Sequence, residues 1–431
     1  MITFNIRGTQ DFTTNIVSAA NSTGAAAART SLVVDGSALT GDFDLTLDGV
    51  VLSAVDAGTT STVKLTGTAG LADDLRLSDV INTTTDTTIS GFETIHFGDR
   101  ANGLTSSGVF DATNVSDVTL YEVNDINAAL TLSNMANVET VQINTDSGAV
   151  AGSGNLNFFA KNASATSELT LNFRDFDAAT NTDFDGDFTA GGQQIAVQNF
   201  RTINVDLGSE ATLNEGYLFT ANVLDADGTD ILTGPFADFN WGTVNTRVLN
   251  VTGGGDQGAA GSADGVDSVN MGQLANHLDT IDFSGYVGQT TFSLFVVDPT
   301  IDVDNVTAGA QTFDRNTTID INGYGMNFTE IDQVAANDSH ITTFHFTADA
   351  VAATEDWTIA GFDAFNAATI DLSNLSVLDM RDLGVTGLVD LNIADVGGNA
   401  TITSNAGLNF EIVLTGVASA DLTGDNFQFT A

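Results

Sequence analysis

Hydrophobic and polar positions alternate in short runs along most of the chain, as in Leu45-Thr46-Leu47, Leu169-Thr170-Leu171 and Phe292-Ser293-Leu294-Phe295-Val296-Val297. Runs of about three to seven residues, closed by Gly, Asn, Asp or Thr-Ser clusters, are the signature of strands joined by turns. The period is two rather than that of a helix, so the chain reads as all-β.

One strand is written several times over: apolar, polar, Thr, apolar, polar, apolar. It occurs as Phe92-Glu93-Thr94-Ile95-His96-Phe97, Val138-Glu139-Thr140-Val141-Gln142-Ile143, Phe200-Arg201-Thr202-Ile203-Asn204-Val205, Leu278-Asp279-Thr280-Ile281-Asp282-Phe283 and Ile341-Thr342-Thr343-Phe344-His345-Phe346. Ala368-Thr369-Ile370-Asp371-Leu372 fits in part. The Thr positions 94, 140, 202, 280 and 343 are 46, 62, 78 and 63 residues apart, so there is no fixed period. An irregular parallel β-solenoid predicts this pattern, because each coil repeats a core-facing strand while its turns vary in length. β-Sandwich domains with similar edge strands are the alternative.

The expected organisation is an N-terminal assembly or anchoring element over residues 1–60, which lack the repeat, and a solenoid-like body over 61–412. A terminal strand with a C-terminal secretion signal is expected over 413–431. The Gly- and Asp-rich stretch from Gly253 to Gly265 is the expected long loop or break.

Composition narrows the function classes. Among 431 residues, 11 Lys and Arg stand against 56 Asp and Glu, giving a formal charge of −45, a sign that opposes nucleic-acid binding. Only nine of the acids are Glu; the 47 Asp and 43 Gly belong to turns, and the two Lys (Lys64, Lys161) leave little to solvate helices. With no Cys, disulfides and thiolate sites are excluded, and four scattered His (His96, His277, His340, His345) offer little for zinc. No apolar run reaches the roughly 18 residues of a membrane span. Residues Met1 to Gln10 carry Arg7 but lead into no apolar stretch, which predicts no cleavable N-terminal signal.

Phrases such as Ile89-Ser90-Gly91-Phe92-Glu93-Thr94-Ile95, Asn137-Val138-Glu139-Thr140-Val141 and Asp371-Leu372-Ser373-Asn374-Leu375 give the chain its character. With its acidic, Cys-free and Lys-poor composition, it resembles bacterial surface-layer and RTX-like proteins exported by type I secretion. The resemblance implies an extracellular or cell-surface location and export through an uncleaved C-terminal signal. The ending Asp425-Asn426-Phe427-Gln428-Phe429-Thr430-Ala431 looks like such a signal and equally like a plain final strand. Tandem RTX calcium repeats are missing; only their second half occurs, at Gly228-Thr229-Asp230, Gly265-Val266-Asp267 and Gly361-Phe362-Asp363.

Calcium takes six to eight oxygen ligands, and Asp-x-Asp spacing puts two carboxylates on one side of an extended loop. The candidate calcium ligands are therefore Asp183, Asp185 and Asp187, then Asp225, Asp227 and Asp230, with Asp264, Asp267, Asp302 and Asp304 as sparser sets. For any one cluster, turn capping by Asp is the competing explanation. Bound divalent cations would offset the self-repulsion of a compact body at −45.

No Gly-x-Ser-x-Gly elbow, His-Glu-x-x-His helix or phosphate loop is present, and no catalytic residue is assigned. The expected function is a non-enzymatic, self-assembling structural protein, a surface-layer or matrix-fibre subunit ordered by calcium, with copies of itself as partner and cell-surface polysaccharide as a second one. A secreted adhesin or ligand-binding protein is the first alternative and a β-helical polysaccharide-active enzyme the second.

Overall fold

A computed structural model describes residues 2–16, 32–47, 63–68, 72–78, 87–98, 107–124, 128–145, 156–162, 164–175, 195–206, 247–254, 268–275, 278–287, 289–296, 315–321, 326–332, 340–346, 355–360, 362, 374–405, 408 and 410–429. Contacts divide the chain into two units, Met1–Phe200 and Arg201–Ala431. Both are built from parallel ladders of sequential strands, the arrangement of a β-solenoid.

In the first unit one ladder runs through β2 (Phe12–Ile16), β4 (Phe43–Leu47), β6 (Asp74–Leu77), β8 (Thr94–Phe97), β10 (Leu120–Asn124), β12 (Val138–Thr145) and β14 (Glu168–Asp175). The strands between them form two further ladders. One holds β1 (Ile2–Gly8), β3 (Leu32–Leu39), β5 (Val63–Thr66) and β7 (Thr87–Ser90); the other holds β9 (Gly108–Asp111), β11 (Leu130–Met135), β13 (Leu156–Ala160) and β15 (Ile195–Gln198). Alternate strands thus go to alternate ladders, as coils of a solenoid require.

The repeated strand owes its pattern to stacking. Ile95, Tyr121, Val141 and Leu171 pair in register from β8 to β14, as do Phe97, Val123, Ile143 and Phe173, and all eight are buried. Burying each such side chain contributes about 1.5 to 3 kcal/mol, so the columns carry much of the stability. Phe97 and Phe110 meet edge to face at 5.1 Å, joining two ladders through the core.

The second unit repeats the scheme. One ladder contains β16 (Thr202–Asp206), β17 (Val248–Gly254), β19 (Thr280–Asp282), β22 (Arg315–Ile321), β24 (His340–Phe346), β26 (Asn374–Asp379) and β30 (Phe427–Gln428). The short β20 (Tyr286–Val287) pairs with the end of β17. The other ladder contains β18 (Ser268–Ala275), β21 (Gln289–Val296), β23 (Met326–Asp332), β25 (Glu355–Ala360), β29 (Phe410–Thr415), β28 (Asn399–Ser404) and β27 (Leu391–Val396). Among the described residues, antiparallel pairing is confined to β27, β28 and β29, which form a meander. Thr202, Val248, Thr280, Thr318, Thr343 and Val377 form one paired column, so three copies of the sequence pattern share a single register.

Residues 2–16 and 32–47 supply β1 to β4, the first members of two ladders. At the other end, Phe427 is buried within the strand β30 against β26. Of the stretch from Gly253 to Gly265, residues 255–265 lie outside the described residues, as does the partial repeat at 368–372.

Candidate functional site

All ten candidate calcium ligands, Asp183, Asp185, Asp187, Asp225, Asp227, Asp230, Asp264, Asp267, Asp302 and Asp304, lie outside the described residues. Among the described residues no three His, Asp or Glu side chains converge to hold a metal. The described chemistry is instead that of protons and of an open sheet edge.

The fifth position of the repeat, outward on the strand, carries His in two copies. In β8 it is His96, flanked by the neighbouring strands β6 and β10. Its Nε2 lies 3.3 Å from Asp74 Oδ2 and its Nδ1 3.0 Å from Glu122 Oε1, with His96 and Glu122 both buried. Burial works against the charged imidazole, but the contacts to Asp74 and then Glu122 outweigh it, and the His96 pKa is raised. The reciprocal contact with His96 holds Asp74 below the usual carboxylate range.

In β24 the same position is His345. Nδ1 is 2.6 Å from Asp320 Oδ1 on β22, and Nε2 is 3.2 Å from Asp382 Oδ2 beyond β26. Burial again opposes the charge, while the hydrogen bond and charge of Asp320, then Asp379 and Asp382, raise the pKa. Asp379 is gripped by Arg381, whose Nε lies 2.8 Å from Oδ1 and 3.0 Å from Oδ2. Each imidazole thus sits between carboxylates from neighbouring coils, an arrangement in which the charged form ties those coils together.

Other buried polar groups are structural. The Asp73 carboxylate accepts from Phe43 N at 2.9 Å, from Thr68 Oγ1 at 3.0 Å and from Thr68 N, while Asp73 N donates to Glu93 Oε2 at 2.8 Å. Asn144 Nδ2 donates to Asn124 Oδ1 at 3.1 Å, and Gln142 Nε2 donates to Asn144 Oδ1 at 2.9 Å. Glu139 is buried with one backbone donor, Ala136 N at 3.1 Å; burial dominates and pushes its pKa up to about 7. That carboxylate, after burial itself, also raises the Tyr121 phenol.

The N-terminal edge is the second feature. β1 and β2 each terminate their ladder, with β3 and β4 as their one neighbour among the described residues. Phe4 pairs with Val34, Phe12 with Phe43, Thr14 with Leu45 and Ile16 with Leu47, and all four partners are buried. Phe4 and Phe12 themselves are 42% and 40% exposed. The first rung therefore presents core-type positions with one covering layer instead of two.

No protein-family model, curated protein or solved structure matches the chain. Function is accordingly read from these sites alone.

Sequence reasoning missed the His stations. His96 and His345 were legible as the same repeat position, but their acidic partners come from positions about 22 to 37 residues away, at separations that vary from coil to coil.

Proposed function

We propose that this protein is an extracellular structural subunit that assembles with copies of itself, as a surface-layer or matrix-fibre protein, and that calcium orders it. The observation that carries the reading is the uncovered first rung: paired edges β1 and β2 with Phe4 and Phe12 exposed. An uncovered parallel edge with alternating apolar residues is a template for another strand. Calcium enters through the charge of −45 and the Asp-x-Asp spacing of seven of the ten candidate ligands. Among the described residues no helix is long and apolar enough to cross a membrane.

Electron microscopy of the purified chain with millimolar calcium and with chelator tests both parts. Ordered sheets or fibres that require calcium support the reading. Monodisperse particles in both conditions overturn assembly, and a melting temperature unchanged by calcium removes the metal, since a ligand of the folded state must stabilise it by mass action.

A further inference from the structure

We infer that His345 is a proton-controlled clasp, which holds the turn after β26, residues 381–384, against the parallel ladder and releases it when the ring becomes neutral. The inference is independent of the assembly reading above. Strand pairing sets Asp282 on β19, Asp320 on β22, His345 on β24 and Asp379 on β26 side by side in one column. Like charges on adjacent strands repel, so a column with three carboxylates is stabilised by cations set into it. Arg381 supplies one to Asp379, and the imidazole is placed to supply the other.

The chemistry of the ring decides which side opens. Nδ1 faces Asp320 Oδ1 at 2.6 Å and Nε2 faces Asp382 Oδ2 at 3.2 Å, and an ionised carboxylate can only accept. A neutral imidazole has a single N–H, so it serves one of the two and turns a lone pair toward the other. The shorter contact, to Asp320 on its strand, keeps the proton; Asp382, 55% exposed in the turn, loses its donor. Burial opposes the charged ring, but Asp320, then Asp379 and Asp382, outweigh it and raise its pKa. The tie to Asp382 is therefore complete below the ordinary value of 6.5 and is lost as pH rises through the folded one. Among the described residues these three acids are the charged groups that face the ring, with Arg381 bound to Asp379 and Asp282 one rung beyond Asp320. On β24 itself, Ile341 and Thr343 share its face.

The anchors around the turn confine the opening to it. Met380 N donates to Gln428 O at 2.9 Å, and Met380 and Val385 are fully buried, so both ends of the turn stay docked. Between them Leu383 N reaches Met380 O at 3.2 Å, and Gly384 N lies 3.5 Å from Arg381 O, longer than an ordinary hydrogen bond. The backbone of the turn is thus weakly held, and the side chain of Asp382 adds the tie to the ladder. His96 has no such turn to release. Its two carboxylates lie on strands, Asp74 on β6 and Glu122 on β10, and its own side chain is 4% exposed. One repeat position therefore carries a sealed station in the first unit and a releasable one in the second.

Amide hydrogen exchange of the full chain at about pH 6 and about pH 9, corrected for the pH dependence of the intrinsic rate, tests the clasp. Protection of residues 382–384 should fall by about two- to fivefold between the two, the range set by a part-exposed ion pair. His345→Gln and Asp382→Asn should each remove that difference, and His96→Gln should leave it in place. Asp382→Asn alters an exposed turn residue, so the test stands even where His345→Gln loses its β-type circular dichroism spectrum. Equal protection of the turn at both pH values in the wild-type chain would overturn the inference. So would a pH response that survives Asp382→Asn, or one that disappears with His96→Gln, since either assigns the proton to another group.

Discussion

His96 on β8 and Glu122 on β10 are register partners, and the imidazole Nδ1 lies 3.0 Å from the carboxylate Oε1 inside the protein. A buried carboxylate beside a buried imidazole favours the protonated ring. Because the folded pKa of His96 is raised, its contribution is complete below the ordinary imidazole value of 6.5 and is lost as pH rises through the folded value. NMR titration should show the His96 ring titrating above 6.5, and Glu122→Gln should move that midpoint down. A midpoint unmoved by the substitution would mean that Glu122 does not hold the proton.

Glu139 shifts stability in the same direction by a different cause. Its folded pKa of about 7 lies above its ordinary 4.5 because burial opposes ionisation, so stability declines as pH rises from about 4.5 to 7. Glu139→Gln keeps the acceptor for Ala136 N and removes the buried charge. Urea unfolding should find the variant more stable than the parent by about 1 to 3 kcal/mol at pH 8, and equal at pH 4. Equal stabilities at both would show that the carboxylate is solvated.

Gly67 lies where two coils touch. A Cβ there would overlap the carbonyl oxygen of Gly91 and come within 2.7 Å of Asp73 Oδ2. Gly67→Ala should cost about 3 kcal/mol or more, because backbone rather than a flexible side chain must move. Gly424→Ala meets nothing within 4 Å and should stay within about 0.5 kcal/mol. Thermal melting of the two variants side by side checks the contrast.

The Asn124 and Asn144 pair is a buried amide ladder. Asn144→Leu would leave the Asn124 oxygen and the Gln142 amide without their partner, at about 1 to 3 kcal/mol. Unfolding at neutral pH measures it; a neutral result would place water in the gap.

What the sequence determined alone is the local grammar. Strict alternation, Gly and Asp turns and the scarcity of Lys and Glu specified strands, and recurrence of apolar-polar-Thr-apolar specified that one strand type stacks on itself, because side-chain period and turn preference are local properties. The Thr202, Thr280 and Thr343 column shows how far that grammar reaches. It did not reveal that Leu120 occupies the rung after Thr94, with β10 lying between the copies at 94 and 140, since Leu120-Tyr121-Glu122 carries no Thr. Only the tertiary structure decided which outward residues become neighbours, setting Asp74, His96 and Glu122 side by side and leaving Phe4 and Phe12 uncovered. Those relations depend on the pairing register of strands separated by turns of unequal length, and that register is fixed by packing of the whole core rather than by any segment of the chain.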